Sequence, residues 1–135
     1  HFLGDGYRYY IRLQSKEPFA IAGLWETWNN KSTNEEVNSY TIITTDANPL
    51  LAKIHNTKKR MPVILNQSDY NTWLDTYISK NDELRLLTAY DESKMDAYTI
   101  SRLITSKEQN PNVPDVLEPY EYSDLDPLKK QTSLF

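Results

Sequence analysis

Between residues 7 and 13 the chain reads YRYYIRL, with Tyr7, Tyr9, Ile11 and Leu13 alternating against Arg8, Tyr10 and Arg12. A period of two sends alternate side chains to opposite faces, so this segment is predicted to be a half-buried strand. PFAIAGLWETW over 18–28 runs unbroken and apolar from Phe19 to Trp25, the pattern of a strand covered on both faces. Gly23 inside it predicts a bulge or a close backbone approach. The polar cluster NNKSTNEE then predicts a turn closing a hairpin onto VNSYTIITT (37–45), a β-branched and aromatic strand.

After Thr45 the pattern changes. Asn48 followed by Pro49 predicts a helix cap with Pro at the first helical position, and LLAKIH continues as a short helix burying Leu50, Leu51 and Ile54. His55 lies at the helix end, where the loop NTKKR begins. Pro62 forces Met61 into extended backbone, and VIL follows as a buried strand. QSDYNTWLDTYI predicts a second helix, capped by Ser68, with Tyr70, Trp73, Leu74 and Tyr77 as its apolar stripe. That stripe reads as core rather than as a base-stacking platform. Asn81 is placed to cap a third helix through DELRLLTA, and MDAYTIS (95–101) reads as a further strand. Pro111, Pro114, Pro119 and Pro127 then predict an irregular segment running over the surface. Together the elements predict a mixed, strand-dominated α+β fold, with residues 1–135 forming a single domain.

Composition narrows the chemistry. The 135 residues include ten tyrosines and no cysteine, so disulfides, zinc–thiolate sites and thiol chemistry within these residues are excluded. With two histidines and no HExxH or DxDxDG spacing, a metal site is not expected. No apolar run approaches the roughly 20 residues of a membrane span. No basic-then-apolar leader argues for secretion. The chain opens without Met and partway into strand-like sequence, so His1 is expected to be an artificial or proteolytic start. The net charge is −4, but residues 115–126 hold five acidic and no basic residues. The remainder is close to neutral, which leaves room for local basic ground around Lys53, Lys58, Lys59 and Arg60.

GxSxG, Walker and GxGxxG motifs are all missing. Glu26 in LWETW is a candidate buried acid, yet a carboxylate alternating out to solvent is the plainer reading. KIHNTKKRMPVIL (53–65) sets His55 beside three consecutive cations, and by itself this is a solvated basic loop with an incidental histidine.

Four segments in order, PFAIAGLWETW, YTIITTDAN, IH followed shortly by RMPVIL, and YNTWLD, resemble the SOS response-associated peptidase family, the abasic-site-processing proteins. The resemblance extends from about residue 9 to residue 120. It implies a barrel-like β core with short helices beside a DNA cleft, and single-stranded DNA carrying abasic sites as the partner. It implies a bacterial, cytoplasmic and nucleoid-associated protein that needs no cofactor. Family members remove their own initiator Met, and the exposed amino-terminal cysteine closes a thiazolidine on the ring-opened sugar aldehyde. His55 matches the family's histidine and would move protons. Arg60 matches the arginine before Met-Pro, and with Lys58, Lys59 and Thr44 it would hold phosphates, which fix register without reading bases. An abasic lesion has no base to read. Cations beside His55 would also favour its neutral form.

The sequence departs from the family by extra residues between His55 and Arg60, and by SRLITSKEQN where an Asn-rich turn is common. The family's cysteine, an asparagine and the glutamate of its Tyr-Glu-Trp segment belong upstream of the point matching His1. The chain therefore resembles the carboxy-terminal part of such a domain, with the missing amino-terminal segment as its partner. Two other readings stand beside it: a non-catalytic nucleic-acid or protein-binding module, and a peptidase acting on other proteins.

Overall fold

The computed structural model describes residues 6–54 and 58–123. They fall into two compact units, one built from the described residues within 1–18, 47–59 and 91–135 and the other from 19–46 and 60–90.

The second unit contains six short strands, β2 (Ala20–Ile21), β3 (Gly23–Asn29), β4 (Glu36–Ile42), β5 (Thr44–Asp46), β6 (Arg60–Pro62) and β7 (Ile64–Leu65). They pair antiparallel as β2 with β7, β3 with β4 and β5 with β6. These six come from three chain segments, each of which changes partner at a single residue: Ala22, Ile43 or Val63. The three junction residues bond to one another in a closed ring. Ala22 N–H donates to Val63 O at 2.8 Å, Val63 N–H to Ile43 O at 2.9 Å, and Ile43 N–H to Ala22 O at 3.0 Å. No other backbone group is needed to satisfy these donors, so the strands exchange partners without leaving a buried N–H orphaned. Ala22 and Val63 are fully buried at the junction. With Leu65 they form a core against which Ile43, Tyr70, Trp73, Leu86 and Leu87 pack.

The expected β3–β4 hairpin forms, with a register running from Gly23 opposite Ile42 to Asn29 opposite Glu36. Its turn closes through Asn30 N–H to Glu35 O and Asn34 N–H to Asn30 O, with Asn34 in left-handed backbone. Gly23 meets the expectation of close approach, because a Cβ there would stand 2.9 Å from the Thr41 carbonyl oxygen. The expectation that both faces of this segment are covered fails. Leu24, Trp25 and Trp28 are exposed, and Glu26 with them.

The helices of this unit are shorter than predicted. A 3-10 turn (Gln67–Asp69) leads into α2 (Tyr70–Leu74), which stops where Asp75 turns extended and its carboxylate accepts from Tyr77 N–H. Ser68 therefore sits inside the 3-10 turn rather than capping the helix. Only the first half of the apolar stripe is core, because Tyr70 and Trp73 pack inward while Leu74 and Tyr77 are exposed. In α3 (Lys80–Leu86) the cap is Ser79, whose hydroxyl accepts from Asp82 N–H, and Asn81 lies within the helix. Ser79 is one turn-start earlier, and its extended backbone satisfies the cap geometry that Asn81 in the helix does not.

In the first unit, β1 (Arg8–Leu13) pairs antiparallel with β8 (Met95–Ile100). Met95, Ala97 and Thr99 are buried on one face. On the other, Arg12 lies opposite Asp96 and donates twice to its carboxylate, at 2.8 and 3.0 Å. That bond holds the Arg12 guanidinium above its ordinary pKa. α1 (Pro49–Ile54) begins as expected, with Asn48 Oδ1 accepting from Leu51 N–H at 2.9 Å. Leu51 and Ile54 are buried. Over the described residues 111–123 the segment is irregular apart from a 3-10 turn (Pro114–Leu117), but it is stitched to β8 rather than loose; Pro127 lies outside the described residues. Tyr120 N–H donates to Thr99 O, Thr99 Oγ1 to Tyr120 O, and the Tyr122 hydroxyl to Ile100 O. Tyr7 and Tyr122 meet edge to face.

The class is mixed α+β, as expected. Among the described residues the strands form four two-stranded ladders, and a closed barrel is not present.

If the junction and the buried residues beside it are the core of their unit, overpacking the one or hollowing out the other must cost stability. Ala22→Val is expected to lose about 1–3 kcal/mol and Met61→Ala about 2–5 kcal/mol, read from urea denaturation midpoints. Tyr77→Ala, at a 93% exposed position, is expected to stay within about 0.5 kcal/mol of the parent.

Candidate DNA-backbone site

The β5–β6 ladder carries the candidate site. Its register sets Thr44 opposite Pro62, Thr45 opposite Met61 and Asp46 opposite Arg60. Alternation along a strand then sorts the side chains. Thr45 and Met61 turn inward: Met61 is almost fully buried, and the Thr45 hydroxyl donates to Leu87 O at 3.3 Å. Thr44, Asp46 and Arg60 share the opposite, exposed face. Thr44 and Arg60 are diagonal neighbours across the ladder, close enough for long side chains to meet. The Arg60 guanidinium donates to the Thr44 hydroxyl.

This contact has a chemical consequence. A guanidinium carries five N–H donors and no acceptor. One of them rests on Thr44, which orients that side of the group while leaving donors free toward solvent. Such a fork suits two parallel bonds to a phosphate. Among the described residues Arg60 makes no ion pair, since those found are Arg12–Asp96 and Arg85–Asp82. Asp46 is the residue that sequence reasoning passed over. It stands directly across from Arg60 on the exposed face, and its charge would oppose an anion at that point. Pairing the DAN and RMP segments as adjacent antiparallel strands would have found it.

Lys58 and Lys59 are both exposed and belong to the first unit, whereas Arg60 and Thr44 belong to the second. The three cations are thus not one loop, because Arg60 is the first residue of β6. Lys59 has φ of 44°, the left-handed region that L side chains rarely adopt, and its carbonyl accepts from Ala47 N–H at 2.9 Å. Its backbone is therefore held while its side chain is free to reach. His55 lies outside the described residues, and α1 is described as far as Ile54.

A profile described as SOS response associated peptidase (SRAP) matches residues 4–107. Among curated proteins, the chain is 40% identical over 109 residues to a Bacillus subtilis protein named abasic site processing protein YoqW, covering 80% of this chain and 46% of that protein. It is 41% identical over 103 residues to B. subtilis abasic site processing protein YoaM, covering 74% of this chain and 43% of that one. Among solved structures, a protein from Bacteroides thetaiotaomicron superposes with a TM-score of 0.75 at 39% identity, covering 84% of this chain and 48% of its own. A protein from Bordetella bronchiseptica matches with a TM-score of 0.60 at 29% identity, over 70% of this chain and 46% of its own. The chain spans about half the length of the relatives it matches.

Because Thr44 and Arg60 are exposed, their contact should orient rather than stabilise. Arg60→Ala and Thr44→Ala are each expected to leave the thermal midpoint nearly unchanged, within about 0.5 kcal/mol of stability. A loss several times larger would make the pair structural.

Proposed function

Since the chain belongs to the SOS response associated peptidase family, we propose that it is the carboxy-terminal part of a protein that processes abasic sites in single-stranded DNA. The observation that carries this reading is the family match over residues 4–107, joined by relatives at about 40% identity that are named for abasic-site processing. On this reading the protein works at the bacterial nucleoid, and its domain is completed by an amino-terminal segment.

The chemistry follows from the lesion. A ring-opened abasic sugar offers an aldehyde. An amino-terminal cysteine supplies an amine to condense with it, releasing water, and a thiol to add to the resulting imine carbon. The product is a thiazolidine linking protein to DNA. These 135 residues contain no cysteine, so the nucleophile belongs to the amino-terminal segment, as does the family's glutamate. What this chain contributes is proton transfer and grip. His55 is suited to protonate a sugar oxygen, because an unperturbed imidazole titrates near pH 6.5. Arg60, oriented by Thr44, and the free ends of Lys58 and Lys59 are suited to flanking phosphates. Phosphate contacts hold a strand whatever its sequence, which is what a site lacking a base requires.

The test joins the chain to the amino-terminal part of the family domain and adds single-stranded DNA bearing one abasic site. A covalent adduct stable to denaturing electrophoresis is expected, and His55→Ala should slow its formation or its resolution. A folded protein that gives only reversible, lesion-independent binding would instead make this a non-catalytic module. Replacing Lys58, Lys59 and Arg60 together with Ala should flatten the salt dependence of binding by about 0.7 in log–log slope per lost contact. Base preference should not move. Of the single changes, Arg60→Ala should cost most; an unchanged slope in the triple variant would return these cations to ordinary solvated surface.

A further inference from the structure

The β3–β4 hairpin carries apolar side chains on both faces and covers neither. On one face Trp25, Tyr40 and Ile42 stand together, at 77%, 82% and 50% exposure. On the other are Leu24, Trp28 and Val37, at 55%, 53% and 42%. A strand destined for solvent on one side alternates apolar with polar, whereas apolar residues on both sides belong to a strand enclosed on both. The sequence therefore encodes cover that the described residues do not provide. An open groove of about 540 Å³ runs beside Trp25 and Tyr40.

The backbone repeats the message. Among the described residues β4 pairs only with β3, so one edge of Glu36–Ile42 offers unpaired N–H and C=O groups. Exposed edges are ordinarily guarded by Lys, Pro or bulges. Here EVNSYTI has one Glu and none of those guards. A lone two-stranded hairpin is also at best marginally stable in water. Meanwhile the solved structure with a TM-score of 0.75 has 52% of its length beyond the match, since the chain covers 48% of it.

We propose that the β3–β4 hairpin is the docking surface for the half of the family fold that these residues do not contain. This rests on the family reading above. The occupant supplies at least one strand that pairs with the open edge of β4, and an apolar face that covers Trp25, Tyr40 and Ile42.

The test compares the 135-residue chain with a fusion of it to the part of YoqW that has no counterpart in these residues. Each is melted with and without Trp25→Ser plus Tyr40→Ser, followed by circular dichroism in the absence of DNA. In the 135-residue chain both residues face water, and the double change, which removes only their cross-strand pair, should lower its midpoint by no more than a few degrees. In the fusion they are buried, and the midpoint should fall by about 10 °C or more. A fusion whose midpoint ignores the substitutions, or one without a cooperative transition, overturns the proposal, because complementary halves fold as one. A large drop in the 135-residue chain itself, with a midpoint that rises with protein concentration, overturns it in favour of a second copy. Adduct formation is scored separately. A substitution-sensitive fusion that forms no adduct counts against the abasic-site reading alone, and an adduct-forming but insensitive fusion counts against the docking alone.

Discussion

Three backbone hydrogen bonds joining Ala22, Ile43 and Val63 in a ring govern the unit that holds the candidate site. Each residue interrupts a strand and each donates to the next, so three chain segments change partners at one buried point. The arrangement leaves no room for side chains of arbitrary size. Ala22 and Val63 have no solvent exposure, and Gly23 beside them lies against the Thr41 carbonyl. A buried N–H left without an acceptor costs about 1–3 kcal/mol, so the ring holds because all three donors are met at once.

From that point the rest of the unit is set by counting. Thr44 is the first residue past the junction on one segment, and Arg60 is three before it on another. The β5–β6 register then makes them diagonal neighbours on one exposed face. Thr45 and Met61, one residue away in each strand, are directed inward. A one-residue slip would exchange the two sets and bury a guanidinium. The same junction sends β3 and β4 away as a hairpin with exposed apolar residues on both faces.

Much of this was legible in the sequence. Alternation marked β1, and Asn48-Pro49 marked the start of α1, where Asn48 does cap the helix by accepting from Leu51 N–H. Other features could not be read. A strand's pattern reports that it will be buried, not which segment buries it, so Trp25 looked enclosed and is exposed within this chain. Partner exchange at Ala22, Ile43 and Val63 could not be read, because Gly23 hints at an irregularity beside Ala22 but nothing in the pattern names the segments that exchange. The stripe through Tyr77 had helical spacing, but the Asp75 carboxylate captured the Tyr77 N–H and ended the helix after Leu74. The candidate site was legible only through resemblance, since His-Asn-Thr-Lys-Lys-Arg has no spacing that chemistry alone demands. Its geometry then contributed what the motif lacked: the Thr44 hydroxyl that orients Arg60, and Asp46 opposite it.

The most direct measurement is a titration of the isotope-labelled chain with a short single strand containing one abasic site, followed by backbone amide NMR. Grip by the exposed face of the β5–β6 ladder and the preceding lysines predicts shifts concentrated at Thr44, Thr45, Asp46, Lys58, Lys59 and Arg60, weakening with salt. Shifts gathered elsewhere while these amides stay still would contradict it.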